Sequence, residues 1–320
     1  MCFVPTVRTI RIVRALRTMR IMGPPRLIIF LALFGTLGKA TSQTRLPDLV
    51  ATYARVDTFD LKIDLHLPPP RYEKSGQDST MVSGEAQRPV LLWIHGGGWR
   101  GGSRSEECPA LPLLDSGYVV ASIDYRLSQQ APWPAQLYDA KAAVRWLRAH
   151  AEVLRLDTAR VVAWGTSAGA HVAAMLGVTS PGDSLEGRVG ADTGTTSRVR
   201  AVVDYYGPTN FLEFVPRRWT PWSSVGQLLG CGVAKCLERA RLASPVTYAS
   251  PGDPPFFITH GLADSTVPFS QSVSLDSALQ VAGGWVEFVP VSGADHGGAA
   301  FVAPTMINRV SLFLKRAFGE

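Results

Sequence analysis

Gly165-Thr166-Ser167-Ala168-Gly169 sets a hydroxyl between two glycines. The buried-strand pattern Arg160 to Trp164 precedes it, and the small-residue helical stretch Ala168 to Leu176 follows it. A strand running into a helix is the context in which G-x-S-x-G becomes a sharp turn that presents a serine for nucleophilic attack. The glycines leave space for neighbouring chain, and the helix start offers backbone N–H groups and the positive end of its dipole. A serine hydroxyl is a poor nucleophile alone. It needs a histidine placed to take its proton and a carboxylate that orients the histidine.

Where the serine stands on such a strand-to-helix elbow, the chain order is serine, acid, histidine. His260 and His296 lie far enough beyond Ser167 to return to it. His260 ends an apolar strand and reads as a buried strand-end residue, while His171 reads as a residue of the helix after Ser167. His296, in the loop Gly293-Ala294-Asp295-His296-Gly297-Gly298, is the natural base. Asp264 follows His260 in a loop at the carboxyl end of that strand, where an acid belongs. Asp295 is the rival acid, but a side chain adjacent in sequence points away from its neighbour's ring. Asp276 falls inside a helix and reads as solvated.

His95-Gly96-Gly97-Gly98-Trp99 supplies the third part. Acyl transfer passes through a tetrahedral oxyanion, and losing one backbone N–H aimed at it typically costs about 10²–10³ in rate. Gly97, Gly98 and Ala168 are the expected donors, with His95 pinning the loop. A phosphate-binding reading is weaker, because no Lys-Ser or Lys-Thr follows the glycines.

The elements that hold these residues can be read around them. Ala51 to Val56 and Leu61 to Leu67 alternate as an antiparallel pair at a sheet edge, and residues 68–88 read as a surface loop. Pro89 to Ile94, Tyr118 to Ile123, Val199 to Asp204, Pro255 to Thr259 and Trp285 to Val289 are further strands. Gln136 to His150, Gln271 to Val281 and Ala299 to Phe318 are helices, the last a long closing one. Such alternation specifies an α/β fold with a mostly parallel central sheet and helices on both faces. Tyr205 to Asp253, with Trp219, Trp222 and Cys231, has room for a small cap or none. Trp99, Trp219 and Trp222 are either pocket lining or ordinary packing.

The net charge of +6 does not describe the folded body. Residues 1–40 hold seven basic side chains and no acid, so the remainder carries −1. That distribution argues against a nucleic-acid partner. Arg26, the apolar run Leu27 to Phe34 and the small residues Gly38 and Ala40 form the parts of a secretory signal cleaved before Thr41. Residues 1–40 are thus expected to be a leader, conventional in length if translation starts at Met19 or Met22. Residues 41–320 are expected to be one domain, secreted or periplasmic, without a stable membrane anchor. Of the four cysteines, Cys231 and Cys236 are spaced for a local disulfide or are free thiols, and no spacing suggests a zinc site.

At these residues the chain resembles the α/β-hydrolase superfamily. More narrowly, it is similar to its hormone-sensitive-lipase-like and acetyl-xylan or feruloyl esterase-like carboxylesterases, with their HGGGW and G-x-S-A-G motifs. The resemblance runs from about Pro89 to the C-terminus through Asp124-Tyr125-Arg126-Leu127, Pro132 to Trp146, Asp204-Tyr205-Tyr206-Gly207-Pro208 and Ser244-Pro245-Val246. It implies hydrolysis of short-acyl or aromatic-acyl esters without a cofactor, oxyanion donors at Gly97, Gly98 and Ala168, and a structural role for Asp124 to Leu127. The Cys231 to Cys236 segment departs from it, which leaves specificity open. The expected substrate is a small-molecule or carbohydrate-linked ester, cleaved by Ser167, Asp264 and His296. An arylformamidase or peptidase with the same triad, and a catalytically inactive binding protein of the same fold, are the alternatives.

Overall fold

The computed structural model describes residues 45–69, 72–75, 78–81, 87–180, 182–214, 220, 222–231 and 236–320. The expected leader at residues 1–40 and Trp219 lie outside the described residues. Along the chain run β1 (Leu49–Val56), β2 (Phe59–His66), β3 (Tyr72–Ser75), β4 (Asp78–Met81), β5 (Arg88–Ile94), β6 (Val119–Ile123), α1 (Ala135–Ala149) and α2 (Ala151–Leu154). They are followed by β7 (Leu156–Thr166), α3 (Ala168–Val178), β8 (Ala201–Tyr205), α4 (Ser224–Leu229), α5 (Leu237–Leu242), β9 (Phe256–Gly261), α6 (Ser270–Val281), β10 (Val286–Val291), α7 (Ala299–Val302) and α8 (Pro304–Phe318).

Eight of these strands form one sheet in the order β1-β2-β6-β5-β7-β8-β9-β10. β1 and β2 are antiparallel to each other, and β2 is antiparallel to β6. Every other neighbouring pair is parallel. The parallel strands are continuous apolar runs because both faces are covered. In β5, Val90, Leu92 and Ile94 join one core cluster, while Leu91 and Trp93 join another. Leu137 and Val144 of α1, Val172 and Met175 of α3, and Leu275 and Leu279 of α6 fill the first cluster. Val310, Phe313 and Leu314 of α8 fill the second. The period-2 alternation of a strand thus divides one run of sequence between two helical layers.

Two expectations are corrected. Residues 68–88 are not simply a loop, because β3 and β4 pair there as a short antiparallel hairpin. The closing helix is broken. Ala303 is extended (φ −60°, ψ 143°), and α8 begins afresh at Pro304. The residue before a proline avoids the α region, and proline itself suits the first helical position.

Between β8 and β9 the described chain forms short helices, α4 and α5, rather than a large lid. Cys231 and Cys236 are joined as a disulfide between them, and Cys108 is a buried free thiol. Trp133 N–H donates to Leu228 O at 2.7 Å, tying α4 to the turn before α1. Among the described residues no helix is long and apolar enough to cross a membrane.

Candidate active site

The parallel strands end at one edge of the sheet, and the residues singled out above gather there. Ser167 stands between β7 and α3 with φ 52° and ψ −120°. A non-glycine residue seldom adopts such a backbone, and one that does is held there by its surroundings. Ser167 N–H donates to Tyr205 O at 2.9 Å, and His171 N–H donates to Ser167 O at 3.1 Å. The two glycines of the motif are sterically required. A Cβ on Gly165 would collide with the Gly169 backbone, and one on Gly169 would collide with the carbonyl oxygens of Ile94 and His95. Helix α3 therefore lies directly against the end of β5, which brings the His95–Gly98 loop beside the serine.

His296 and Asp264 complete a relay. Ser167 Oγ lies 2.8 Å from His296 Nε2, and His296 Nδ1 lies 2.7 Å from Asp264 Oδ2. With Nδ1–H donating to the carboxylate, Nε2 is left as acceptor for the serine proton. Asp264 Oδ1 accepts the N–H groups of Thr266 at 2.8 Å and Val267 at 2.7 Å, which fixes the plane of the carboxylate. Burial alone would push the Asp264 carboxyl up. Hydrogen bonds from His260, His296 and Val267 N–H outweigh it and hold the group well below the usual carboxylate range. Asp295, the rival acid, turns away from the ring. Its Oδ1 accepts Ser265 N–H and His296 N–H, each at 2.8 Å, clasping the Asp264 loop to the His296 loop. The Tyr206 ring meets His296 edge-on with centroids 4.8 Å apart, a contact that no sequence pattern signalled.

Gly97 (φ +97°), Gly98 (φ +60°) and Trp99 (φ +57°) form a left-handed run in the loop after β5. Glycine adopts it freely, whereas Trp99 is held there by packing. Its ring is buried against His171 at 5.3 Å and Phe211 at 5.7 Å, so it belongs to the core rather than to an open pocket. Gly97 O accepts Arg100 and Gly101 N–H, both at 3.1 Å, closing the turn. A Cβ placed on Gly96 would lie 3.6 Å from Ser167 Cβ, and one on Gly98 would lie 3.1 Å from Ser224 Oγ of α4. Ala168, the remaining expected donor, is buried at the first position of α3.

The segment Asp124 to Leu127 and its continuation suspend this loop. Tyr125 OH donates to His95 O at 3.1 Å, and the two rings stack at 4.3 Å. Ser128 N–H donates to Trp99 O at 2.7 Å, and Asp124 accepts Arg104 Nη1 at 2.6 Å. Arg126 clamps the fully buried Asp139 of α1 through Nε at 2.9 Å and Nη2 at 2.7 Å. Of the other aromatics, Trp222 is 80% exposed beside this loop, and Arg100 Nη1 reaches its carbonyl at 3.5 Å.

Beneath the site, Asp204 at the end of β8 is fully buried. Its Oδ1 accepts Gly207 N–H at 2.8 Å, and its Oδ2 has no hydrogen-bond partner. Burial pushes its pKa from 3.8 up to about 6 against the lowering effects of the Gly207 hydrogen bond and His260. A carboxyl raised in the folded state contributes stability that is complete below about pH 4 and is lost as pH rises through about 6. The interval between 3.8 and about 6 corresponds to about 3 kcal/mol. In Asp204→Asn an acceptor for Gly207 remains but nothing ionises. Wild type is therefore expected to lose up to about 3 kcal/mol relative to the variant between pH 4 and pH 7. Urea unfolding at each pH measures the difference, and parallel profiles would contradict it.

A family model, BD-FAE, matches residues 80–279, a span holding the His95–Gly98 loop, Ser167 and Asp264. Esterase LipC of Mycobacterium tuberculosis is 31% identical over 241 residues, covering 71% of this chain and 58% of LipC. The chain thus spans little more than half the length of the curated relatives it matches. Among solved structures, a truncated carbohydrate esterase from gut microbiota superposes with a TM-score of 0.71 at 27% identity, covering 84% of this chain and 95% of that one. Esterase 2 of Thermogutta terrifontis with bound propionate gives a TM-score of 0.67 at 27% identity, covering 83% and 93%. Sheet order, elbow and family match agree: the chain has the α/β-hydrolase fold and belongs to the BD-FAE family.

Proposed function

We propose that this protein is a serine carboxylesterase that hydrolyses short-acyl or aromatic-acyl esters through an acyl-enzyme. The observation that carries the reading is the unbroken relay from Ser167 Oγ to His296 at 2.8 Å and on to Asp264 at 2.7 Å, on a serine with strained backbone. His296 Nε2 takes the Ser167 proton as Oγ bonds to the ester carbonyl carbon. The N–H groups of Gly97, Gly98 and Ala168 receive the oxyanion. The carbon–oxygen bond to the alcohol breaks, and His296 returns its proton to the departing oxygen. Water then gives a proton to His296 and attacks the acyl carbon, releasing the acid and restoring Ser167. The chemistry needs no cofactor.

Acetyl or feruloyl esters on plant polysaccharide are the proposed natural substrates. The carbohydrate esterase among the structural neighbours supports that choice, and the propionate bound in the Thermogutta enzyme supports a short acyl group. The leader-like pattern of residues 1–40, a basic residue, an apolar run and small residues before Thr41, supports secretion or export to a periplasm, where such polymers are met.

Hydrolysis of p-nitrophenyl esters from acetate to decanoate, beside methyl ferulate and N-formylkynurenine, tests the reading. Turnover is expected to be highest on acetate to butyrate or on the ferulate and to fall with longer chains. Preference for the formamide would move the protein to the C–N hydrolases. A folded chain inert to every substrate and to a fluorophosphonate would make it a binding protein.

A further inference from the structure

Asp264 Oδ2 has two imidazole partners. His296 Nδ1 lies 2.7 Å from it, and His260 Nε2 lies 3.1 Å from the same oxygen. His260 is the penultimate residue of β9 and is fully buried. Its ring is held on every side. Nδ1 lies 2.7 Å from Ser272 Oγ on α6, and Nε2 lies 3.0 Å from Val267 O. Phe269 and Tyr206 close on it edge-on, at 5.7 and 6.5 Å.

These contacts select one tautomer. Nε2 faces two oxygens that can only accept, Val267 O and the Asp264 carboxylate, so Nε2 carries the proton and donates between them. Nδ1 is then the acceptor, and the Ser272 hydroxyl, which can rotate, donates to it. The opposite tautomer would set a lone pair against two others. His296 is the proposed mobile base, since it must serve Ser167 in one step and the leaving oxygen in the next. Backbone N–H groups of Thr266 and Val267 hold Oδ1, whereas at Oδ2 the described contacts give, besides His296, one side chain, that of His260.

We propose that His260, its tautomer set by Ser272, is a positioning residue that fixes the Asp264 carboxylate for His296. The proposal rests on the serine-hydrolase reading, and it assigns His260 no contact with substrate.

The test uses the full chain with p-nitrophenyl acetate. In His260→Leu, kcat is expected to fall roughly 10- to 100-fold, by analogy with the loss of the hydrogen-bond partner behind a metal-ligating side chain, with KM nearly unchanged. His260→Gln, whose amide nitrogen reaches about as far as Nε2, should recover most of the loss. In an Asp264→Asn background His260→Leu should cost nothing further, because its effect passes through that carboxylate. A role in folding alone would lower both backgrounds equally and would show no rescue by Gln. Ser272→Ala, which removes only a hydroxyl, carries the same comparison if His260→Leu does not fold. Nitrogen-15 NMR of the wild type should find the Nε2–H tautomer at His260.

An active wild type whose folded His260→Leu variant keeps its kcat overturns this inference alone, as does an equal loss in both backgrounds or an Nδ1–H tautomer. A wild type inert to esters and to a fluorophosphonate overturns the hydrolase reading, and this inference with it.

Discussion

Ser167→Ala is expected to lower kcat by a factor on the order of 10⁶ and to leave the fold intact; removing the serine of a comparable triad has an effect of that size. The structural reason is that the variant loses only Oγ. The backbone bonds at residue 167, to Tyr205 O and from His171 N–H, do not involve the side chain. Alanine tolerates φ 52° no worse than serine does. The loop of Gly97 and Gly98 is untouched, so a residue of about 10³–10⁴-fold over water should survive from oxyanion stabilisation and binding. His296→Ala should cost about as much, and the double variant hardly more, because the two act as a unit. Steady-state hydrolysis of p-nitrophenyl acetate, with thermal unfolding as control, reads the outcome. A folded Ser167→Ala chain with wild-type turnover would show that the nucleophile lies elsewhere.

The fold was legible wherever burial and local pattern agree. Pro89 to Ile94 reads as a strand because six apolar or rigid residues in a row have no polar face to show water, and the sheet covers both sides of them. The 3.6-residue spacing of Leu137, Ala140, Val144 and Leu147 likewise marks α1, whose buried stripe faces the first core cluster. Legibility failed where tertiary context decides. The hairpin of β3 and β4 lies in a stretch without apolar alternation and so gives no period to detect. The break at Ala303 was available from Pro304, but the apolar repeat on either side reads through it.

The candidate site divides the same way. The elbow and the glycine loop are contiguous motifs, visible as words in the sequence. The pairing of His296 with Asp264 spans 32 residues, and sequence offers only order and loop position for it. What sequence gave no means of seeing is that Asp295 is occupied by Ser265 and His296 N–H, or that His260 shares an oxygen with His296. Both are angular facts about side chains at the ends of two adjacent strands.

Asp264→Asn is expected to lower kcat by about 10⁴, as the equivalent change does in a well-studied triad, and the contacts here explain why the amide has no good orientation. Oδ1 of Asp264 accepts two backbone N–H groups, from Thr266 and Val267. An asparagine must keep its oxygen there, since turning its NH₂ toward those donors would orphan all of them. The NH₂ then occupies the Oδ2 position, between His296 Nδ1 and His260 Nε2. Toward His296 it can only donate, so Nδ1 becomes the acceptor and the proton moves to Nε2. Nε2–H faces Ser167 Oγ across 2.8 Å and can no longer take the serine proton. KM should change little, because the amide touches no substrate. The NH₂ also meets the Nε2–H of His260, donor against donor, so the variant should unfold at lower temperature as well as turn over slowly. Asp264→Ala removes the wrong tautomer's cause but also the orientation of His296, and it should be nearly as slow. An Asp264→Asn enzyme within tenfold of wild type would move the acid elsewhere, with Asp295 the carboxylate to test next.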